Sequence, residues 1–206
     1  MRAPAETMLA LFQSAYYVLD LLIGYGAPLV VFALYRTQRL DRWWWRLFWV
    51  GCALGLTWEI PMFVLSGEDT GLPLLHWVRP LPVHYLILMG SHTLWDGGLF
   101  LVGVWLVRRL CHSPSFRSFR WQELAVLLVY GQVSELLVEL SSTLNDGWVF
   151  VTGYGWNPTL FHFNGHPITL MPQLVWLVAP VVFYWIALKL DDGRSSVGED
   201  PRSQPG

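Results

Sequence analysis

Five stretches of the chain, residues 15–35, 44–65, 83–107, 121–142 and 169–189, are apolar over about 20 residues. A helix rising ~1.5 Å per residue needs that length to cross a bilayer core of ~30 Å. The pattern predicts an all-α fold, a multi-pass membrane bundle of five transmembrane helices. Residues 1–14 form a short N-terminal segment on the outer or lumenal side, 15–190 the membrane domain, and 191–206 a polar tail rich in Ser, Gly and Pro that should be disordered. No internal repeat is visible. The fourth stretch, WQELAVLLVYGQVSELLVELSS, breaks the apolar pattern in one respect, because Gln132, Glu135 and Glu139 fall at offsets of three and four. Such offsets align side chains on one side of a helix. A carboxyl near the bilayer centre costs roughly 2.5–3.5 kcal/mol even on the lenient insertion scale, so this stripe should face other helices or a cavity.

Composition agrees with a membrane chain. Of 206 residues, 54% are hydrophobic and 14% charged, against about 25% charged in a soluble globule. The net charge of -2 and the lack of a basic block or Cys/His array give no sign of nucleic acid. The N-terminus, MRAPAETMLALFQ, has neither a basic n-region nor an A-x-A site, so the first apolar segment is expected to be a retained span. Of the thirteen Lys and Arg residues, eleven lie in or beside the first loop, the third loop and the tail. Only Arg2 and Arg79 lie on the other side. Positive charge marks the cytoplasmic face, which puts the N-terminus outside or lumenal and the C-terminus in the cytoplasm. The membrane would be the endoplasmic reticulum in a eukaryote or the inner membrane in a bacterium.

Counting inward from the span ends gives depth. Glu59 and Glu135 lie fifteen and fourteen residues from the cytoplasmic ends of their spans, ~20 Å up and past the midplane. His92 and Asp96 enter the third span from the opposite side, Gln173 and Trp176 the fifth, and Asp20 lies near the outer end of the first. These heights agree, and they predict a pocket in the outer half of the bundle. His92 and Asp96, at i and i+4, have the spacing by which a carboxylate orients an imidazole or both share a cavity. Glu59 sits two residues before Pro61, where the helix is expected to kink or end. Glu135 and Glu139 are close enough along a helix to share a proton, although Ser141, Ser142 and Asn145 show the helix surfacing near Glu139. A carboxylate-rich metal site would favour Glu-x-x-His pairs on facing helices, and the spans contain none. No metal ligands and no cofactor are assigned. The loop NDGWVFVTGYGWNPTLFHFNGHPI reads as an interfacial lid of turns or a short hairpin over the mouth, with His162 and His166 near the entry. The aromatic second loop, with His76, Trp77 and His84, covers the other side.

Three stretches resemble the emopamil-binding protein family, the EXPERA group of sterol isomerases and sterol-binding receptors. CALGLTWEIPMFVL is similar to its acid-bearing second span, with Glu59 at the family's glutamate. AVLLVYGQVSELLVE resembles the fourth span, with Tyr130, Gly131 and Glu139 at matching positions, and VWLVAP resembles the last, with Trp176 and Pro180. Gln173 then stands where the isomerases have an asparagine. The resemblance covers about half of the chain, and it implies a five-span fold and chemistry on a sterol double bond. The pattern departs at Gly55, where the family has a histidine, in the absence of its charged loop motif between Gly67 and Val83, and in the third span, where the family's acid has no match in place. His92 and Asp96 would have to supply the equivalent groups. A shorter similarity joins Trp58-Glu59 to the integral-membrane terpene cyclases.

The expected activity is protonation or shift of a carbon–carbon double bond in a sterol or isoprenoid lipid. The catalytic set is Glu59, His92, Asp96 and Glu135, with Trp58, Trp95, Gln132, Glu139, Gln173 and Trp176 contacting substrate. Such chemistry needs a neutral acid in a dry pocket, a base, and aromatic faces that steady a carbocation. The rival readings are a non-catalytic sterol or lipid binder that chaperones membrane partners, a membrane terpene cyclase and a proton-coupled transporter. The transporter is less attractive for five spans without repeat symmetry. The expected partners are the membrane and a sterol or isoprenoid lipid, and a homodimer is compatible with the sequence.

Overall fold

The computed structural model describes residues 4–66, 73–112 and 114–195, with side chains from Ala15 to Leu190. Five helices, α1 (Pro4–Arg36), α2 (Arg42–Leu65), α3 (Tyr85–Leu110), α4 (Trp121–Leu144) and α5 (Leu170–Ser195), each contain a segment long and apolar enough to cross a membrane. The chain is therefore an all-α multi-pass membrane protein. Two helix ends differ from the sequence expectation. Helix α1 begins at Pro4, inside the segment read as a separate N-terminus, and α5 runs past Asp191 to Ser195, into the tail expected to be disordered. In both cases the i to i+4 ladder runs beyond the apolar segment. The rest of that tail, residues 196–206, lies outside the described residues. Helix α2 also passes through Pro61 and ends at Leu65, so the helix does not stop at the acid.

Local chemistry explains several boundaries. Asp41 caps α2, its Oδ1 accepting from the Trp43 and Trp44 backbone N–H groups at 2.8 and 3.3 Å. The His84 Nδ1 accepts from the Leu86 N–H at 3.3 Å at the start of α3. At the arginine-rich end, Glu123 is fully buried and gathers the Phe116 N–H at 3.1 Å, the Tyr184 hydroxyl at 2.9 Å and the Arg120 guanidinium at 3.3 Å. One carboxylate thus ties the α3–α4 loop to α5.

Helices α2, α3, α4 and α5 pack in sequence and α5 returns to α2, closing a ring of four. Helix α1 lies outside the ring, packed mainly along α3. Glycines set the closest approaches. Gly51 and Gly55 of α2 meet Gly97 and Asp96 of α3, Gly24 of α1 meets Ser91, and Gly131 of α4 meets Trp176 and Pro180 of α5. Small residues at such crossings let backbones come together without a hydrophobic driving force between helices in lipid. Aromatic rings fill the ring interior, where Phe100 stacks on Phe183 at 4.4 Å and on Trp176 at 5.4 Å. Leu22, Leu29, Val129, Val133 and Val178 remain exposed on the outside, as lipid-facing residues do.

Two small sheets sit at the other end. Strand β1 (Leu75–Trp77), from the α2–α3 loop, pairs antiparallel with β2 (Trp148–Phe150), from the α4–α5 loop, with Leu75 opposite Phe150 and Trp77 opposite Trp148. Strands β3 (Thr159–Phe163) and β4 (His166–Thr169) form a hairpin. Its two turn residues, Asn164 and Gly165, have φ of 49° and 78°, the positive pair that a tight hairpin matching strand twist requires.

The α2–α3 crossing gives a direct test. A Cβ at Gly97 would lie 2.5 Å from the Cys52 sulfur and 2.9 Å from the Phe48 ring and carbonyl oxygen, whereas one at the adjacent Gly98 would lie 3.8 Å from Ala27. Gly97→Ala should lower the unfolding temperature in detergent, by roughly 1–3 kcal/mol of overpacking, and Gly98→Ala should leave it unchanged or raise it. Equal effects of the two would refute this packing.

Candidate functional site

A cavity of about 280 Å³ lies inside the sheet-bearing end of the bundle and takes residues from all five helices and from β1 and β2. Counting along the helices from that end, Glu59, His92 and Glu135 lie ~9 to ~14 Å deep, within the outer half of a ~30 Å core, and Asp96 lies ~17 Å deep, close to its midplane. All four line the cavity.

His92 is the hub. Its Nε2 faces the Asp20 carboxylate of α1 at 3.4 Å, and its Nδ1 faces the Glu59 carboxylate of α2 at 3.5 Å. The ring is held between Trp148, 5.0 Å away, and Phe63, 5.4 Å away and edge-on. The sequence spacing lets Asp96 either orient His92 or share a cavity with it, and the second is what is seen. In the structure the carboxylates flanking the imidazole are Asp20 and Glu59, and Asp96 shares the cavity as a separate group. The reason is geometric: Asp96 points toward α2, where Gly55 leaves it room, and a side chain at 55 would overlap its carboxyl.

A neutral imidazole has one N–H donor and one acceptor nitrogen. Two flanking carboxylates can both be hydrogen-bonded only if the trio carries one proton more than neutral His92 supplies, either on the second ring nitrogen or on a carboxyl. The two contacts are at ion-pair distance, and Asp20 Oδ2, Glu59 Oε2, His92 Nε2 and Asp96 Oδ2 are buried and make no hydrogen bond among the described residues.

Aromatic walls surround these groups. Trp58 and Trp176 meet at 6.0 Å, and Trp95 lines the cavity while its indole N–H donates to the Asp20 carbonyl at 3.0 Å. Ser91 donates to the same carbonyl at 3.0 Å, so α3 fixes the position of Asp20 along α1. On the sheet side Leu75, Trp148 and Phe150 are buried beneath the loops and Trp77 packs on Trp148 at 6.2 Å. They cap the cavity with apolar surface.

Gln132, Glu139 and Gln173 do not line the cavity. Gln132 donates to the Gln173 carbonyl at 2.9 Å, and Glu139 accepts from the Thr169 N–H at 2.9 Å, which places all three at the α4–α5 seam. The residues missing from the sequence-derived set are Asp20 as a partner of His92, together with Tyr16, Phe63, Trp77 and Trp148. An acid at membrane depth was the available signal for Asp20. Nothing in the loop sequences marked Trp77 and Trp148 as opposite one another. The loop histidines His76 and His162 are exposed, and His166 lies 4.0 Å from Asp146. Among the described residues no group of three or more His, Cys, Asp or Glu side chains is arranged to hold a metal ion. No protein-family model, curated protein or solved structure matches the chain.

Removing one partner from a buried ion pair leaves the others uncompensated, at a cost of around 3 kcal/mol or more. His92→Leu should therefore lower the unfolding temperature sharply. Adding Asp20→Asn and Glu59→Gln to His92→Leu should restore most of it, since neutral amides need no counter-charge. A triple variant no more stable than His92→Leu alone would show that the three groups do not act as a unit.

Proposed function

We propose that the chain is a membrane-embedded enzyme that protonates and shifts a carbon–carbon double bond of an isoprenoid or sterol lipid. The observation that carries this reading is the Asp20–His92–Glu59 line facing a cavity walled by Trp58, Trp95 and Trp176. Glu59, holding the shared proton, gives it to one alkene carbon and forms a C–H bond. The cation left on the neighbouring carbon lies against the indole faces, whose quadrupoles attract positive charge. A carboxylate across the cavity, Glu135, takes a proton from the next carbon, and the electrons of that C–H bond form the new double bond. The proton then returns to Glu59 by way of the cavity groups, with His92 exchanging it between its two carboxylates, so acid and base are reset without a net change in protons. A site used only for recognition of an apolar lipid has no need of this many desolvated carboxyls, each of which costs stability. The similarity of TWEIPMF to the acid-bearing span of the EXPERA group supports the same reading.

The orientation belongs to this proposal as well. The arginine-rich end faces the cytoplasm and the sheet-bearing end faces the lumen or exterior, in the endoplasmic reticulum or a bacterial inner membrane. Accessibility tags at residue 155 should report the outer side and tags at 115 the cytoplasm. A cytoplasmic tag at 155 would invert the arrangement.

Glu59→Gln and Glu135→Gln keep side-chain size and remove the transferable proton. Each should reduce turnover of a bound lipid by ~100-fold or more while retention of that lipid changes little. The assay is mass spectrometry of lipids that copurify with the protein, followed by conversion in lipid-extracted membranes. If the wild type converts no sterol or isoprenoid while both variants retain lipid as before, the protein is a binder.

A further inference from the structure

We infer that the cavity takes its substrate sideways from the bilayer, through a gap between α1 and α4, with the reacting double bond at the leading end of the lipid. The inference deepens the reading above and rests on it.

Three observations support this direction. The first is the cap: Leu75, Trp148 and Phe150, buried residues of the β1–β2 sheet, cover the outer end of the cavity. The second is the rim. Two cavity-lining residues of α1, Leu19 and Ile23, are 45% and 47% exposed, and they lie at i and i+4 on one face of that helix. They lie in the apolar span, so what they are exposed to is lipid. The third is the topology. Helix α1 lies outside the four-helix ring and packs along α3, and at the sheet end Tyr16 packs on Trp148 of β2 and Tyr17 donates to the Gly147 carbonyl, in the turn after α4, at 3.2 Å. Below that point Val138 of α4 lines the cavity opposite the α1 rim.

The gap is held in shape from the other side. Ser91 and Trp95 of α3 both donate to the Asp20 carbonyl, and the Tyr25 hydroxyl donates to the Ile87 carbonyl at 2.8 Å. These bonds pin α1 to α3, so the edge facing α4 keeps its position.

The dimensions then restrict the substrate. About 280 Å³ is at the lower edge of the ~300–1,000 Å³ typical of small-molecule sites. The cavity accommodates one end of a lipid, and the remainder stays between α1 and α4 in the bilayer. A polar headgroup entering first would be stripped of water against Leu19 and Ile23 with no hydrogen-bonding partner there. The leading end is therefore apolar, as in a linear isoprenoid entering tail first or a sterol entering by its hydrocarbon end.

The test uses full-length protein in nanodiscs with two photoactivatable probes, a C20 prenol and a sterol, each carrying a diazirine at the hydrocarbon end. Adducts are mapped by mass spectrometry. Leu19→Cys in a Cys111→Ser background provides a thiol at the rim, Cys52 being buried, and a benzyl methanethiosulfonate label plugs the gap reversibly. Adducts on Trp58 and Trp176 should form with at least one probe, be lost on labelling and return on reduction, all within the same folded sample. The probe that gives them distinguishes a linear isoprenoid from a sterol. If Leu19→Cys is fully labelled and the inner adducts persist, the lateral route is wrong and the enzyme reading is untouched. If neither probe reaches Trp58 or Trp176 in the wild type, the cavity is not a lipid site and both readings fall.

Discussion

The interaction on which the rest of this structure depends is the sharing of negative charge by Asp20, Glu59 and His92 at membrane depth. An isolated carboxylate there is expensive, and the protein sets three helices around a single imidazole to compensate two of them. That arrangement requires α1, α2 and α3 to approach closely at one height. The glycines at 24, 51, 55 and 97 lie at those crossings, and each is in contact with the neighbouring helix where a larger side chain would not fit. The close packing and the polar hub are therefore one design problem: without the glycines the carboxylates could not reach the ring, and without the ring the acids would push the helices apart.

The five helices and the sheet-bearing half of the cavity were legible in the sequence, because length, apolarity and depth are one-dimensional quantities. Counting from span ends located Glu59, His92, Asp96 and Glu135 at compatible heights, and the cavity includes all four. What one dimension does not contain is azimuth. Gln132, Glu135 and Glu139 share one side of α4, but at 3.6 residues per turn Glu135 stands about 60° from Gln132 and about 40° from Glu139, which are only about 20° apart. Glu135 falls on the cavity while Gln132 and Glu139 fall toward α5, where the Gln173 carbonyl and the Thr169 N–H meet them. His92 shows a related limit. Spacing along α3 let Asp96 orient the ring or share its cavity; it shares the cavity, and the carboxylates that face the ring come from helices whose rotation the sequence does not state. The β1–β2 pairing joins loops more than 70 residues apart, so no local pattern announces it.

Asp96 shows how two distant positions answer each other. Gly55 lies one turn before Glu59 on α2 and faces Asp96 on α3. The Asp96 carboxyl of α3 occupies the space into which a side chain at 55 would project, so the two positions compete for a single volume. A chain with glycine at 55 can deliver a polar group to this part of the cavity from α3, and it has done so with Asp96, while His92 supplies an imidazole one turn nearer the membrane surface. Glycine and carboxyl are thus a single feature of the α2–α3 crossing, and enlarging residue 55 would displace Asp96 from the cavity.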